Sequence, residues 1–397
     1  MADRPALAIV VQRYGPEVTG GSEALARAVA ERLAAQYRVT VLTTCALDYV
    51  SWRNELAAGT EIVGGVEVRR FPVEEERDLG DFNRFSETLY GRPHGREDEI
   101  DWLRRQGPYS PALIRELEAS RDRFHATMFF TYLYYPTFWG LKAASEHSVL
   151  VPTTHDEPPL RFQIYREMFA LPRAFAFLTP PEEALVRSRF PVAGRPAIVT
   201  GIGVDAPAPP DVPAFRARHG VADPYVLYAG RIDAGKGCAE MVEFYARYRA
   251  EDPYAPDLLL IGKLAMPLPD VKGVHYLGYL PEEEKAAALA GADLVLCPSP
   301  YESLSIVLLE AFALGVPALV NARSAVLKDH CRRANGGLYY ESADEFVEAF
   351  GLLVRDRELR RALGENGRRY VGENYRWDVV LARYRELIEA AARSPSG

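Results

Sequence analysis

One local plan occurs twice in this chain, and it restricts the fold more than any other feature. Ala6-Leu7-Ala8-Ile9-Val10-Val11 is a continuous apolar run of strand length. A loop with three glycines, Gly15 to Glu23, follows it. A helix is then expected over residues 22–36, with Ala24, Leu25, Ala28, Val29 and Leu33 on one stripe. Tyr225–Ala229, the loop Gly230 to Gly237 and a helix to about Arg249 repeat the order. Strands that are apolar throughout, alternating with helices, belong to parallel sheets covered on both faces. Further strands are expected at 39–44, 65–71, 126–132, 148–154, 174–179, 197–200, 258–262, 274–278, 294–296 and 317–320. Helices are expected at 281–290, 343–354, 358–370 and 377–392.

A length of 397 residues exceeds one ordinary core. The proline-rich run 206–213 reads as a stiff linker. The expected fold is therefore α/β, with two Rossmann-like parallel-sheet domains facing each other across a cleft, residues 1–205 and 206–375. Residues 74–110 break the rhythm with charged and aromatic positions, either as an excursion near a substrate cleft or as a solvated helical insertion.

Charge and cysteine usage exclude several classes. A net charge of −8 argues against a nucleic-acid binder. Cys45, Cys238, Cys297 and Cys331 form no CxxC pair, and the seven histidines show no metal-ligand spacing. That usage suits a reducing cytosol. The first ten residues lack a signal-peptide plan. No apolar run reaches the ~18 residues of a membrane span, which leaves peripheral attachment to a membrane face open.

The chemistry concentrates in Cys297–Gly315. Leu294-Val295-Leu296 ends at Pro298 and Pro300, and Ser303 or Ser305 is placed to cap the helix that follows. Glu310 sits inside that otherwise apolar helix, and a buried carboxylate needs a partner. Glu302 stands eight residues earlier, about 12 Å along the axis if the stretch is helical. Two carboxylates flanking a helix N-terminus suit a ligand with hydroxyls at both ends and phosphate between. Alternatively, Glu310 pairs with a core arginine and Glu302 is a solvated turn residue. Arg231 and Lys236 follow a buried strand, where two cations can hold a diphosphate and neutralise charge on it; they also read as surface cations.

Gly20-Gly21 opens a helix in the manner of a phosphate loop or of a tight turn, but the spacing is not that of a nicotinamide-dinucleotide fingerprint. His155 follows a buried strand at the edge where open α/β sheets bind ligands, as a donor, a base or a turn residue. Tyr132, Tyr134, Tyr135 and Trp139 suit either a sugar platform or the core.

The constellation resembles the retaining family 4 glycosyltransferases of GT-B architecture. It is carried by Gly20-Gly21-Ser22-Glu23, Tyr228-Ala229-Gly230-Arg231 with Lys236-Gly237, Gly201-Ile202-Gly203-Val204-Asp205, and Glu302 with Glu310 leading into Ala311–Pro317. These elements spread over the whole chain in family order. The resemblance implies transfer of a hexose-type sugar from a UDP- or GDP-sugar to a hydroxyl acceptor (a sugar, glycolipid or small molecule), with retention and no metal. Polysaccharide or glycoconjugate synthesis in the cytoplasm, with contact at the inner membrane face left open, is the implied setting.

The implied donor site comprises Gly21, Gly230, Arg231, Lys236, Gly262, Leu280, Glu302, Ser303, Leu304, Ser305 and Glu310. In it Arg231 and Lys236 hold the diphosphate, Glu310 the ribose and Glu302 the sugar. Glu302, Arg231, Lys236 and His155 are the implied catalytic set. The last segment, 376–397, is implied to cross back onto the first domain. The sequence departs from the family at Gly201-Ile202-Gly203-Val204, where many members carry Pro-Asn-Gly-Val. A nucleotide-sugar epimerase and a non-catalytic sugar-nucleotide binder are the alternatives; only His155, Asp156 and Glu157 cluster as an epimerase would need.

Overall fold

The computed structural model describes residues 4–18, 20–205 and 210–393. They form two compact units, one up to Gly201 and again from Leu381, the other Ile202–Val380.

The first unit is built from β1 (Ala6–Val10), α1 (Gly21–Leu33), β2 (Arg38–Thr44), β3 (Gly59–Val63), β4 (Val66–Phe71), α2 (Leu79–Tyr90), α3 (Arg96–Gln106), α4 (Pro111–Ser120), β5 (Ala126–Phe130), α5 (Tyr135–Ala143), β6 (Ser148–Val151), α6 (Gln163–Phe169), β7 (Ala174–Phe177), α7 (Pro180–Arg189) and β8 (Ala197–Val199). Its eight strands lie in the order β3-β4-β2-β1-β5-β6-β7-β8. All pairs are parallel except β3 with β4. The sheet is thus the expected parallel one with an antiparallel edge strand, β3, that was not anticipated.

The second unit holds α8 (Val212–His219), β9 (Tyr225–Ala229), α9 (Cys238–Glu251), β10 (Asp257–Ile261), β11 (Val274–Gly278), α10 (Glu282–Ala290), β12 (Leu294–Cys297), α11 (Ile306–Ala313), β13 (Ala318–Asn321), α12 (Ala325–Ala334), β14 (Gly337–Tyr340), α13 (Ala343–Arg355) and α14 (Arg357–Asn374). Its six strands, ordered β11-β10-β9-β12-β13-β14, are parallel throughout. A last helix, α15 (Trp377–Ala392), runs from the second unit into the first. There Glu389 accepts from Tyr37 Oη at 3.2 Å.

In each sheet the strand order reverses beside the first strand of the repeated plan. β1 lies between β2 and β5, and β9 between β10 and β12. The crevice past the carboxyl end of such a strand is where open α/β sheets leave room for a ligand. The glycine loops after β1 and β9 stand at those two points.

Residues 74–110 form a helical insertion as expected, with many exposed positions, but one that is tied into the core and not merely solvated. Phe82 and Leu89 of α2 and Trp102 and Leu103 of α3 are core residues. Glu99 is buried, and its carboxylate accepts the N–H groups of Gln163 and Ile164 at 3.0 and 2.9 Å, closing the first turn of α6. The proposed linker 206–213 is also shorter than expected. Residues 206–209 lie outside the described residues, and Val212 and Pro213 already belong to α8, where proline fits the first turn. Helix α12 and strand β14 were not anticipated. No helix among the described residues is long and apolar enough to cross a membrane.

Candidate active site

In the second unit the loops after β9, β10 and β12 meet through backbone, and this is why they carry glycine. A Cβ on Gly262 would lie 1.9 Å from the Gly230 carbonyl oxygen, and its φ of +131° is one that other residues rarely adopt. A Cβ on Gly237 would lie 2.4 Å from the Pro298 carbonyl oxygen. The strand ends are thereby drawn together, and side chains of the loops after β9 and β12 meet.

Asp233 organises the first loop. Its Oδ1 accepts the Lys236 backbone N–H at 2.8 Å, and its Oδ2 accepts from the Arg231 guanidinium. Lys236 reaches the third loop, where its ammonium donates to Glu302 Oε1 at 2.7 Å. Lys236 is 34% and Glu302 18% exposed, so Glu302 is not a solvated turn residue. The two expected diphosphate cations are therefore both charge-balanced, Arg231 by Asp233 and Lys236 by Glu302.

The third loop is held from behind. Asn321 Nδ2 donates to the Pro298 carbonyl at 2.9 Å, and Ser299 Oγ to the Tyr301 carbonyl at 2.8 Å. His330 of α12, fully buried, contacts the Leu304 carbonyl through Nε2 at 3.0 Å and the Tyr370 hydroxyl through Nδ1 at 3.1 Å. A carbonyl only accepts, so Nε2 carries the proton and Nδ1 accepts from Tyr370. Burial depresses the imidazole to about 4, with the Arg333 charge adding to it.

Helix α11 begins at Ile306, later than the spacing estimate assumed. Glu302 to Ser305 are not helical, so the ~1.5 Å rise per residue does not apply there. Ser305 occupies the N-cap position with φ +66°, and its hydroxyl makes no cap hydrogen bond; the expected serine cap is corrected accordingly. Leu304 and Leu280 are buried, Leu280 in the turn between β11 and α10.

Glu310 has the partner that burial demands, but it is a lysine and not the arginine considered as the alternative. Lys285 Nζ of α10 donates to Glu310 Oε1 at 3.0 Å and to Glu282. Oε2 is buried and without a hydrogen-bond partner. Burial pushes the Glu310 carboxyl up, against the pull of Lys285.

In the first unit, the conformational need falls on Gly20 and not on Gly21. Gly20 has φ +154°, and a Cβ there would lie 2.3 Å from Glu23 Oε2. Gly21 has open space around it. Arg13 and Glu23, both buried, pair at 2.5 Å and fix the loop. His155 Nε2 lies 3.5 Å from Glu157 Oε2, and Glu157 Oε1 accepts from Tyr132 Oη at 2.7 Å. The strand end before His155 is fixed by buried Glu182, which accepts the Thr154 and Leu178 N–H groups, each at 2.6 Å. Burial raises that carboxyl to about 7. Tyr132 and Tyr135 are core residues, which settles two of the four aromatic positions.

Sequence reasoning missed Asp233, Lys285, His330 and Glu182. Asp233, Lys285 and His330 touch Lys236, Glu310 and Leu304 directly, and Glu182 holds the strand end before His155. For Lys285 a signal existed, since a buried carboxylate on one helix asks for a cation of either type on its neighbour.

Residues 212–370 match the family model described as glycosyl transferases group 1. Among curated proteins, the MMP alpha-(1->4)-mannosyltransferase of Mycolicibacterium hassiacum is 32% identical over 221 residues, 51% of this chain and 50% of the relative. The GDP-mannose-dependent alpha-(1-6)-phosphatidylinositol monomannoside mannosyltransferase of Mycolicibacterium smegmatis is 30% identical over 227 residues, 51% of this chain and 59% of the relative. The chain thus spans about half the length of the curated relatives it matches. Among solved structures, the sucrose-phosphate synthase of Thermosynechococcus elongatus superposes with a TM-score of 0.70 over 98% of this chain and 100% of its own, at 18% identity. The fold is GT-B.

Proposed function

We propose that this protein is a glycosyltransferase that moves a hexose-type sugar from a nucleoside-diphosphate sugar to a hydroxyl acceptor. The observation that carries the reading is the Lys236–Glu302 pair at 2.7 Å, beside Arg231 on the same loop. It sets cations and a carboxylate together at the strand-order reversal of the second sheet, with Glu310 on the next helix. The group 1 match over residues 212–370 covers these residues.

In this reading the bond between the anomeric carbon and the diphosphate oxygen breaks, and its electron pair stays on the diphosphate. The Arg231 guanidinium and Lys236 ammonium take that negative charge, which stabilises the separating state more than the bound donor. The arriving diphosphate takes Lys236 from Glu302, and the freed carboxylate accepts from a sugar hydroxyl. The acceptor oxygen then bonds to the anomeric carbon on the face the diphosphate leaves. Its proton passes to the diphosphate, and because the new bond forms on the face of departure, configuration is retained. Two fixed cations do the work that a divalent metal would otherwise supply. His155 serves the transferred sugar as a hydrogen-bonding group.

The mannosyltransferase relatives make GDP-mannose the first donor to test. Thermal unfolding with GDP-mannose, GDP-glucose, UDP-glucose and UDP-galactose ranks donors, since a ligand at 100 times its Kd adds about 2.7 kcal/mol. The best donor is then assayed for sugar transfer and for release of the nucleoside diphosphate. The reading requires both to fall when Lys236 or Glu302 is changed to Ala; unchanged rates in both variants refute it.

A further inference from the structure

Glu310 presents a problem of charge that the fold solves in a specific way. Its carboxylate sits on α11, whose other residues are apolar. Its Oε1 is held by Lys285 at 3.0 Å, while Oε2 is buried with no donor. A buried acceptor left unmade is costly, and the lysine serves only one side of this carboxylate. Lys285 comes from a different helix, α10, which follows directly on the Leu280 turn. Its ammonium also meets Glu282, a mostly exposed residue one turn earlier, so one cation faces two carboxylates. These are the charged groups that face Glu310, both from α10; Arg368 of the adjoining α14 is turned to the Leu314 carbonyl.

A vicinal diol brings two O–H donors, the complement of a carboxylate with one oxygen unserved and the other shared with the Lys285 ammonium; the side chain keeps 24% exposure, and a turn of the carboxyl group presents the unserved oxygen to a ligand. We propose that Lys285 is a positioning residue for nucleoside recognition: by holding one oxygen of Glu310, it keeps the carboxylate charge-balanced and oriented to accept the ribose hydroxyls of the donor nucleotide. The proposal rests on the nucleoside-diphosphate reading above. Without Lys285 the same buried carboxyl would be driven towards its protonated form, which burial already favours. A protonated carboxyl would still accept, but without the charge that makes the bond to a hydroxyl strong. The lysine needs no contact with the ligand to have this effect.

The test separates the lysine from the reading it rests on. Isothermal titration of the full chain with GDP and 2′-deoxy-GDP, and with UDP and 2′-deoxy-UDP, gives a ribose selectivity as a ratio of Kd values. For the better-bound base, wild type is expected to favour the ribonucleotide by tenfold or more, the scale of a hydrogen bond to a charged group. Glu310→Gln should bring the ratio below threefold. Lys285→Met should do the same, Lys285→Gln should lose most of the ratio, and Lys285→Arg should keep it. General destabilisation of the unit weakens both nucleotides alike and leaves the ratio in place, so a structural role does not mimic the effect. Should the Met variant not fold, the Gln and Arg variants carry the comparison. A Lys285→Gln ratio equal to wild type, with Glu310→Gln depleted, overturns the lysine proposal alone. Retained selectivity in Glu310→Gln, or no binding of any of the four nucleotides by wild type, overturns the nucleoside reading itself.

Discussion

His330→Leu gives a quantitative test of how the third loop is held. The substitution leaves the Leu304 carbonyl and the Tyr370 hydroxyl without the partner that His330 supplies. The Tyr370 hydroxyl keeps the Tyr375 hydroxyl at 3.2 Å, so the Leu304 carbonyl is the group orphaned; at about 1–3 kcal/mol for such a group, the second unit should lose about that much at pH 8. The loss depends on pH in a defined direction. Folded His330 stays neutral down to about 4, whereas the unfolded chain binds a proton below about 6.5. The unfolded state therefore holds more protons between those values, and wild-type stability from this group is full above 6.5 and falls as pH drops to about 4. At 1.36 kcal/mol per pKa unit, wild type should lose about 2.5 kcal/mol by pH 4.5 that the leucine variant does not lose. The gap between the two proteins should shrink by that amount. Urea unfolding at pH 8 and pH 4.5, read by amide exchange in peptides of α12 and α14, measures it for this unit. A gap of equal size at both pH values would refute the neutral, buried imidazole and the tautomer drawn from it.

Glu182 should show the opposite slope in the other unit. Its folded carboxyl titrates at about 7 and its unfolded one near 4.5, so the first unit gains stability as pH falls from 7 towards 4.5, by about 3 kcal/mol. Amide exchange in α7 should show this slope in wild type and a flat profile in Glu182→Gln; equal slopes would count against it. Gly262→Ala forces a Cβ against the Gly230 carbonyl and adds backbone strain, together about 2–6 kcal/mol. Gly21→Ala meets open space and should leave the melting temperature within a few degrees, so scanning calorimetry of the two distinguishes packing from loop conformation. Glu302→Gln should change stability by less than about 1 kcal/mol, as for other partly exposed ion pairs, while sugar transfer falls at least tenfold. Transfer at the wild-type rate would remove Glu302 from the chemistry.

Apolar content made most of the sheets legible. β1, β5, β9 and β12 are buried at every position, and such runs announce themselves in any order of reading. β3 did not, because an edge strand with four of five residues exposed needs no apolar pattern. α12 was hidden by its charged face, although Val326, Leu327, His330, Cys331 and Ala334 bury one side at helical spacing. Residues 74–110 misled for the same reason: acids and arginines outnumber the few large side chains that fix α2 and α3 to the core. At the site, Lys236, Arg231 and Glu302 stood out because loops after buried strands expose polar side chains at the sheet edge. Their pairing did not, since Lys236 and Glu302 are 66 positions apart and meet only because glycines let the strand ends touch.

The carboxylates that accompany the cations have a consequence for what the site attracts. Arg231 with Asp233, Lys236 with Glu302, and Lys285 with both Glu310 and Glu282 set three cations against four carboxylates, so these groups carry no positive excess. A pocket of bare cations would collect inorganic phosphate and every abundant polyphosphate of the cell. These paired groups offer an anion no net attraction, only an exchange of partners; on the proposed reading that exchange is favourable when a sugar and a nucleoside occupy the displaced carboxylates together. Affinity for the intact donor should accordingly vary little with ionic strength, and simple phosphate should compete poorly for it. Selection then operates through the completeness of the ligand and hardly at all through its charge.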